Sequence, residues 1–151
     1  MSDDEIKDNV ISLYEELLAH WNKRDAAGMA QLVMQAGYMI GFDGSELIGP
    51  TEIERSLREI FAEHPTGSYV YKVREVFLLS EEVVVLRAIA GMVPANQTDL
   101  NPALNAIQTL VAKKQDGGWR VAVFQNTPAA FHGRPELAAA LTKELQENIR
   151  T

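Results

Sequence analysis

Residues Leu104–Thr127 read LNAIQTLVAKKQDGGWRVAVFQNT, and they carry the strongest indication of the fold. The two ends of this stretch are rich in β-branched and aromatic residues, which favour strands. The Asp116-Gly117-Gly118 sequence between them is a turn signal, so Leu104–Gln115 and Trp119–Thr127 are predicted to pair as an antiparallel hairpin. A turn of two or four residues would divide the side chains between the two faces in the same way.

A second hairpin is predicted just before this one. Ser68–Leu79 and Val83–Val93 have the same strand-like composition and are joined by Ser80-Glu81-Glu82. A three-residue turn would place Glu75 opposite Arg87, whereas a two-residue turn would place two arginines opposite each other. We therefore predict the three-residue turn.

The beginning of the chain is predicted to be helical. Ser2 and Glu5 have the spacing of a capping box, and Asp25 is placed to cap a short second helix from Ala26 to about Met34. The first helix is expected to bury an apolar stripe with helical spacing, formed by Ile6, Val10, Leu13, Tyr14, Leu17, Leu18 and Trp21.

A short hairpin and a third helix follow these two helices. The turn Asp43-Gly44 joins the predicted strands Tyr38–Phe42 and Glu46–Ile48. Gly49-Pro50 then opens a helix that is expected to end near His64-Pro65, because the residue before a proline disfavours the helical conformation.

Helices followed by a run of antiparallel strands predict an α+β fold. We expect a single domain over residues 1–151, with a core of residues 1–128. Residues 129–151 would form a C-terminal extension whose helix starts at Pro135.

Composition excludes several classes of protein. The 151 residues include no cysteine. There are 14 Lys and Arg residues and 21 Asp and Glu residues, which gives a net charge of −7 at pH 7. Disulfide scaffolds and cysteine-based zinc sites are therefore excluded, and an acidic chain without a basic patch is not expected to bind nucleic acid or membranes. The acidic N-terminus lacks the positive region of a secretory signal, so a cytoplasmic location is predicted.

Several motifs of this chain occur together in one known group of proteins. They are a long first helix ending in Trp21, Asp25 before the short second helix, the Gly44 turn, and Gly49-Pro50 leading into Ile53. With these motifs, residues 6–128 resemble the nuclear-transport-factor-two-like, or SnoaL-like, superfamily. The closing segments Gly118-Trp119-Arg120-Val121 and Gln125-Asn126-Thr127 most resemble its SgcJ/EcaC-type branch.

The resemblance implies a strongly bent antiparallel sheet that wraps around the helices as a cone, with a pocket at its mouth. Members of the superfamily are commonly homodimers through the sheet. They include isomerases, cyclases and dehydratases as well as binding and assembly modules, so the fold alone decides little about function. The sequence has no dinucleotide fingerprint and no cluster of metal ligands, so we predict no cofactor and no metal.

The final hairpin supplies candidate polar contacts for such a pocket. We assign to the concave side the face that carries Gln108, Trp119, Val121, Val123 and Gln125. Gln108 and Gln125 would then lie close together near the mouth, either as ligand contacts or as a glutamine pair that shapes the core.

Aromatic residues supply candidate walls. Trp21, Tyr38 and Phe61 are predicted to line the pocket, although residues of this kind also serve as ordinary core. Arg87, paired with Glu75, could bind an anionic group on a ligand or could form a structural cross-strand bridge.

The opposite face of the final hairpin is also half apolar. Since the helices can cover only one face of the sheet, a second copy of the chain is the simplest cover for the other. We therefore predict a homodimer through the outer sheet face.

Candidates for acid–base chemistry are few. His20 and Asp99 are possible bases, and Tyr14 and Tyr38 are possible hydrogen-bond donors. His20 could equally stabilise the C-terminal end of the first helix, where a positive charge is favourable. Asp25 is explained as a helix cap, and Asp43 and Asp116 are explained as turn residues.

Three hypotheses on function follow. The leading one is a pocket that binds a small apolar organic ligand without a cofactor. The second is a cofactor-independent isomerase, cyclase or dehydratase, and the third is a purely structural dimer with a filled core.

Overall fold

The computed structural model describes residues 2–149, so the ends of the predicted domain, Met1, Arg150 and Thr151, lie outside the described residues. The helices and strands follow in this order: α1 (Asp3–Asn22), α2 (Ala26–Gln31), β1 (Val33–Ile40), β2 (Glu46–Ile48), α3 (Gly49–Glu63), β3 (Ser68–Leu78), β4 (Val83–Val93), β5 (Ala106–Gln115), β6 (Gly118–Pro128) and α4 (Pro135–Ile149). A short 3-10 helix, Pro102–Leu104, precedes β5.

The six strands form one sheet in the order β2-β1-β6-β5-β4-β3. All neighbouring strands run antiparallel except β1 and β6, which are parallel. The sheet curves around α1, α2 and α3, so the predicted α+β fold is confirmed. Among the described residues, no helix has both the length and the apolar character that crossing a membrane requires.

The first helices form as their caps predict. The Ser2 hydroxyl accepts a hydrogen bond from the backbone N–H of Glu5 at 3.2 Å, and Asp25 Oδ1 accepts one from Gly28 at 2.9 Å. The predicted stripe of α1 packs against the concave face of the sheet, here called the inner face. Six of its residues are buried, namely Ile6, Val10, Leu13, Tyr14, Leu17 and Leu18.

The hairpin of β3 and β4 has the predicted register. Glu75 pairs with Arg87 across a three-residue turn, and Arg87 Nη1 lies 3.3 Å from Glu75 Oε1. The repulsion between arginines in the alternative register therefore identified the turn correctly. Arg74 is an extra residue of β3 with no register partner in β4, and this bulge turns Val73 towards the core.

The hairpin of β5 and β6 departs from its predicted faces. Its turn is the two-residue Asp116-Gly117, with positive φ at both positions. Further along, Val111 pairs with Val123 but Ala112 pairs with Val121, so Ala122 is an extra residue in β6. A strand with one extra residue changes which face its later side chains occupy.

The bulge at Ala122 makes the predicted position of Gln125 wrong. Beyond the bulge, Phe124 and Asn126 lie on the inner face, paired with Leu110 and Gln108, and all four are buried. Gln125 is exposed on the opposite, outer face.

The assumption that the helices cover only one face of the sheet is also wrong. α4 packs across one end of the outer face, where Leu141 and Leu145 join Ile89 and Leu100 in a second apolar cluster. Glu144 of α4 pairs with Arg74 and lies 3.0 Å from Lys72 Nζ. These two basic groups hold the pKa of Glu144 below its usual range, Arg74 having the larger effect.

We expect α4 to be an integral part of the fold rather than an appendage. Leu145 is fully buried, so Leu145→Ala should lower the free energy of unfolding by about 2–5 kcal/mol in urea titrations. Leu137→Ala on the same helix is the control. Leu137 is 38% exposed, so this substitution should lower the free energy of unfolding much less. Equal losses from the two substitutions would contradict the docking of α4.

Candidate functional site

A cavity of about 530 Å³ opens at one end of the curved sheet, and we call it the cone cavity. It lies between the ends of the three N-terminal helices and the inner face of the sheet. Its walls are mostly apolar, formed by Trp21, Met29, Met39, Phe42, Leu47, Leu57, Ile60, Met92, Leu104 and Phe124. Asp43, Ser45 and Glu59 are exposed and form its rim, while Asn126 is buried in its wall.

Four side chains form a connected set of hydrogen bonds from the core to this wall, and we call it the polar relay. The Tyr14 hydroxyl donates to Gln108 Oε1 at 2.6 Å, and Gln108 Nε2 donates to Asn126 Oδ1 at 3.2 Å. Asn126 Nδ2 then donates to the Tyr69 hydroxyl oxygen at 3.3 Å. Tyr69 and Asn126 line the cone cavity, whereas Tyr14 and Gln108 lie behind them with no exposed surface.

Burial keeps the two tyrosines of the relay protonated. It raises the pKa of Tyr69 to about 12 despite the opposing effect of the hydrogen bond from Asn126. Burial also raises the pKa of Tyr14 far above its ordinary value. At neutral pH both hydroxyls are therefore hydrogen-bond donors and neither is a general base.

The end of α1 positions Tyr69. The side chain of Asn22 accepts a hydrogen bond from the backbone N–H of Tyr69 at 2.7 Å and donates to its carbonyl oxygen at 3.3 Å. The Trp21 indole donates to the carbonyl of Gly67 at 3.0 Å, and its ring centroid lies 5.5 Å from that of Tyr69. Tyr69, at the start of β3, is thus held in place through both its backbone and its aromatic ring.

Of the six predicted ligand contacts, only Trp21 lines the cone cavity. Gln108 is on the inner face but contacts the cavity wall through Asn126. Phe61 packs edge-on against Trp21 at 5.1 Å and faces a separate shallow groove beside Arg58.

The other three predicted contacts lie on the outer face. Tyr38 pairs with Val123, and its neighbour Met39 points into the cavity instead, because side chains alternate along a strand. Gln125 is on this face because of the bulge, and Arg87 pairs with Glu75 with both side chains about half exposed. Placing Tyr38, Gln125 and Arg87 in the pocket wall was therefore wrong.

The predicted acid–base residues do not meet in the cavity. His20 Nδ1 lies 3.2 Å from Asp25 Oδ2, beside the close approach of Gly28, where a Cβ atom would lie 2.4 Å from the imidazole. Asp99 is exposed in the loop after β4, and the Tyr14 hydroxyl is occupied by Gln108. Within residues 2–149, no group of three or more His, Asp or Glu side chains is placed to hold a metal ion.

The two carboxylates at the cavity belong to its rim. Ser45 donates to Asp43 from its backbone N–H and from its hydroxyl, each at 2.9 Å, and these bonds lower the pKa of Asp43. Glu59 projects from α3 and is exposed. Both carboxylates are therefore in contact with water.

Sequence reasoning missed Tyr69 and Asn126, which carry the polar chemistry of the cavity. Asn126 stands in the quoted Gln125-Asn126-Thr127 segment, but regular alternation assigned it to the wrong face. Tyr69 is the second residue of β3 and has no local signal beyond its aromatic character.

The profile of the SnoaL-like domain matches residues 10–126, which is most of the chain. The comparison with curated proteins found no match.

Solved structures with the same fold are similar to this chain at low sequence identity. One is a domain of unknown function with a cystatin-like fold from Nostoc punctiforme PCC 73102, with 19% identity, a TM-score of 0.79, and coverage of 99% of this chain and 94% of that one. Another is an NTF-2 like protein of unknown function from Shewanella oneidensis MR-1, with 17% identity, a TM-score of 0.66 and coverage of 80% and 97%.

A third is a ketosteroid isomerase-like protein from Erwinia carotovora atroseptica SCRI1043, with 14% identity, a TM-score of 0.66 and coverage of 82% and 96%. At such identities, the three structures establish the fold and no more.

The cap of α2 should make stability depend on acid pH. The backbone N–H of Gly28 is the largest cause of the lowered pKa of Asp25, and His20 and Lys23 also contribute. A lowered pKa means that the stabilisation is present above the unfolded value of about 3.9 and is lost as the pH falls through the folded value. Asp25→Asn keeps a capping oxygen without the titration. We therefore expect the Tm of the wild type to fall by more than the Tm of Asp25→Asn when the pH is lowered from 6 to 2.

Thermal melts across this range measure the effect. Asp99→Asn is the control, because Asp99 is exposed in a loop and the substitution should leave the loss of Tm unchanged. Equal losses of Tm in the wild type and Asp25→Asn would rule out a stabilising role for the charge of Asp25.

Proposed function

The chain belongs to the SnoaL-like domain family, and we propose that its cone cavity binds a small apolar organic ligand. The observation that carries the proposal is a cavity of about 530 Å³ whose walls are mostly apolar, with Tyr69, Asn126 and Ser56 as the polar side chains inside its rim. Pockets for small molecules typically have volumes of about 300–1,000 Å³ and combine apolar walls with a few placed polar groups.

The cavity walls favour a ligand with a flat apolar body. Three methionines, Met29, Met39 and Met92, contribute flexible thioethers that adapt to the shape of a ligand and contact aromatic rings favourably. Trp21 and Phe124 add rigid aromatic surface. Filling the cavity would remove this apolar surface from water, which drives binding.

A cofactor-independent isomerase, cyclase or dehydratase is the second candidate. It is favoured by the hydroxyl of Tyr69, a donor that could stabilise an oxyanion, in a cavity with Asp43 and Glu59 at its rim. A general base in this chemistry usually has a pKa tuned towards neutrality by burial. Both rim carboxylates are in water, so binding stays the leading proposal.

We further propose that the chain forms a homodimer through the part of the outer face that α4 leaves uncovered. This surface is made of half-buried residues of four strands, including Tyr38, Val85, Val111 and Val123. Ile48 of β2, at the edge of this surface, is 59% exposed. A two-fold contact would use the same patch on both subunits and would cover the apolar strip with itself.

The placement of the chain in the SgcJ/EcaC-type branch is also proposed rather than established. It rests on Gly118-Trp119-Arg120-Val121 and Gln125-Asn126-Thr127, which form the turn end and the far end of β6. The cellular compartment stays a prediction.

Methionine methyl groups provide a direct test of ligand binding. With ¹³C-methyl methionine, titration of 2-acetylnaphthalene should shift the NMR signals of Met29, Met39 and Met92, which line the cavity. The signal of Met34, which lies outside the cavity lining, should stay in place and serves as an internal control. Unchanged signals from all three cavity methionines would contradict the proposal.

A substitution that fills the cavity should abolish these shifts. Ser56 of α3 lines the cavity, so Ser56→Phe would occupy the space of the ligand. The matched control is Arg55→Phe, which adds the same side chain to an exposed position of α3 outside the cavity lining. Shifts that persist in Ser56→Phe would mean that the probe binds elsewhere, whereas Arg55→Phe should keep the shifts of the wild type.

Light scattering after size exclusion tests the dimer. At micromolar concentration, we expect about 33 kDa, twice the 16.7 kDa of one chain. Val123→Glu would place a charge in the proposed contact and should return the mass of one chain, because an unpaired charge is costly to bury. Ala139→Glu, on an exposed position of α4, should leave the dimer intact. A monomeric wild type would refute the contact.

A further inference from the structure

In each hydrogen bond of the polar relay, one group donates and the other accepts. The buried end of the relay, at Tyr14, determines which does which. Tyr14 has no exposed surface, and Gln108 is its hydrogen-bond partner. If the relay ran the other way, Gln108 would donate to Tyr14, and the phenolic proton would be left without an acceptor in the core. A buried donor without a partner costs the whole desolvation penalty of that group. Tyr14 therefore donates, and Gln108 Oε1 accepts.

This choice determines the rest of the relay. With its oxygen facing Tyr14, the Gln108 amide must present its Nε2 to Asn126, and Asn126 must present its Nδ2 to Tyr69. The oxygen of the Tyr69 hydroxyl is therefore an acceptor within the relay. Within residues 2–149, no side-chain or backbone acceptor receives the Tyr69 proton, which leaves it free to serve the cavity.

Tyr69 and Asn126 thus offer donors to the cavity. Asn126 accepts from Gln108 through its oxygen and donates one amide hydrogen to Tyr69, so a second amide hydrogen is left over beside the Tyr69 proton. A carbonyl oxygen accepts without bringing a hydrogen of its own, so it matches these two left-over hydrogens better than a hydroxyl or an amine does. A carboxylate would carry its charge into an apolar cavity whose rim already holds Asp43 and Glu59.

We propose that the Tyr69 hydroxyl donates a hydrogen bond to the carbonyl oxygen of a neutral ketone or aldehyde ligand, and that Tyr14 keeps this donor turned towards the cavity. This inference rests on the proposed ligand-binding function and names its ligand class. Tyr69 is the binding residue, and Tyr14 is a positioning residue that acts through Gln108 and Asn126.

The surroundings prepare Tyr69 for this role before any ligand arrives. Asn22 holds its backbone with two hydrogen bonds, and the Trp21 ring packs against its own. Hydrogen bonds in series polarise one another, so a Tyr69 oxygen that accepts from Asn126 makes the hydroxyl a better donor. A preorganised donor loses little conformational freedom on binding.

Two probes of nearly equal shape distinguish the contribution of the Tyr69 hydrogen bond to affinity from that of apolar contacts. They are 2-acetylnaphthalene, a ketone, and 2-isopropenylnaphthalene, in which a CH₂ group replaces the carbonyl oxygen. We expect Tyr69→Phe to weaken binding of the ketone about tenfold and to leave binding of the hydrocarbon within about twofold. Calorimetric titration measures both dissociation constants, with the Met92 methyl signal as a second readout.

Two further tyrosine variants complete the test. Tyr71→Phe is the matched control, because Tyr71 lies on the same strand and face but outside the cavity lining, and its hydroxyl interacts with Glu15. It should change neither affinity. Tyr14→Phe removes the group that sets the direction of the relay, so it should weaken ketone binding severalfold and hydrocarbon binding hardly at all. A merely structural role of Tyr14 would alter both affinities together.

A measurement on the wild type covers the case in which a variant does not fold. With ¹³C at its carbonyl, bound 2-acetylnaphthalene should show a lower carbonyl stretching frequency than in cyclohexane, because hydrogen bonding weakens the bond. An unshifted carbonyl, or equal effects of Tyr69→Phe on both probes, would overturn the ketone assignment while ligand binding stands. If neither probe binds the wild type, the proposed function itself fails.

Discussion

A single extra residue in one strand controls what the cavity of this protein contains. Ala122 interrupts the alternation of β6, and beyond it Phe124 and Asn126 face the core while Gln125 faces outwards. Phe124 supplies apolar wall, and Asn126 links the buried Gln108 to the cavity. With regular alternation, Gln125 would stand in the place of Asn126 and Val123 would turn inwards, so both faces of the sheet depend on this bulge.

Near this bulge, the polar side chains in the apolar interior are hydrogen-bonded to one another. Each member of the relay is satisfied by the next, from Tyr14 in the core to Tyr69 in the cavity wall. The proton of Tyr69 at the end of the relay is left over, and it lies where a ligand can reach it. The same arrangement explains why the end of α1 binds the backbone of β3 so closely, since a relay works only if its final member is held in place.

Much of the fold was predictable because the determining interactions are local. Ser2 and Asp25 cap the helices that they precede, and the stripe of α1 is buried as its spacing predicts. Charge repulsion was enough to identify the register of Glu75 and Arg87. The cavity was less predictable, because its polar residues come from β3 and β6, which no local pattern brings together. Of the predicted contacts, Trp21 alone lines it.

The amino-acid sequence alone predicts the α+β class, the helix caps and the turn of the β3–β4 hairpin, because each depends on neighbouring residues or on short-range periodicity. The resemblance of its motifs to known proteins indicated the SnoaL-like family. The folded chain is needed to establish which strand faces line the cavity, which part of the outer face α4 covers, and how Tyr14, Gln108, Asn126 and Tyr69 join. A bulge shifts register without leaving a clear mark in composition, and hydrogen bonds between residues as distant as Tyr14 and Gln108 exist only once the sheet has closed around α1.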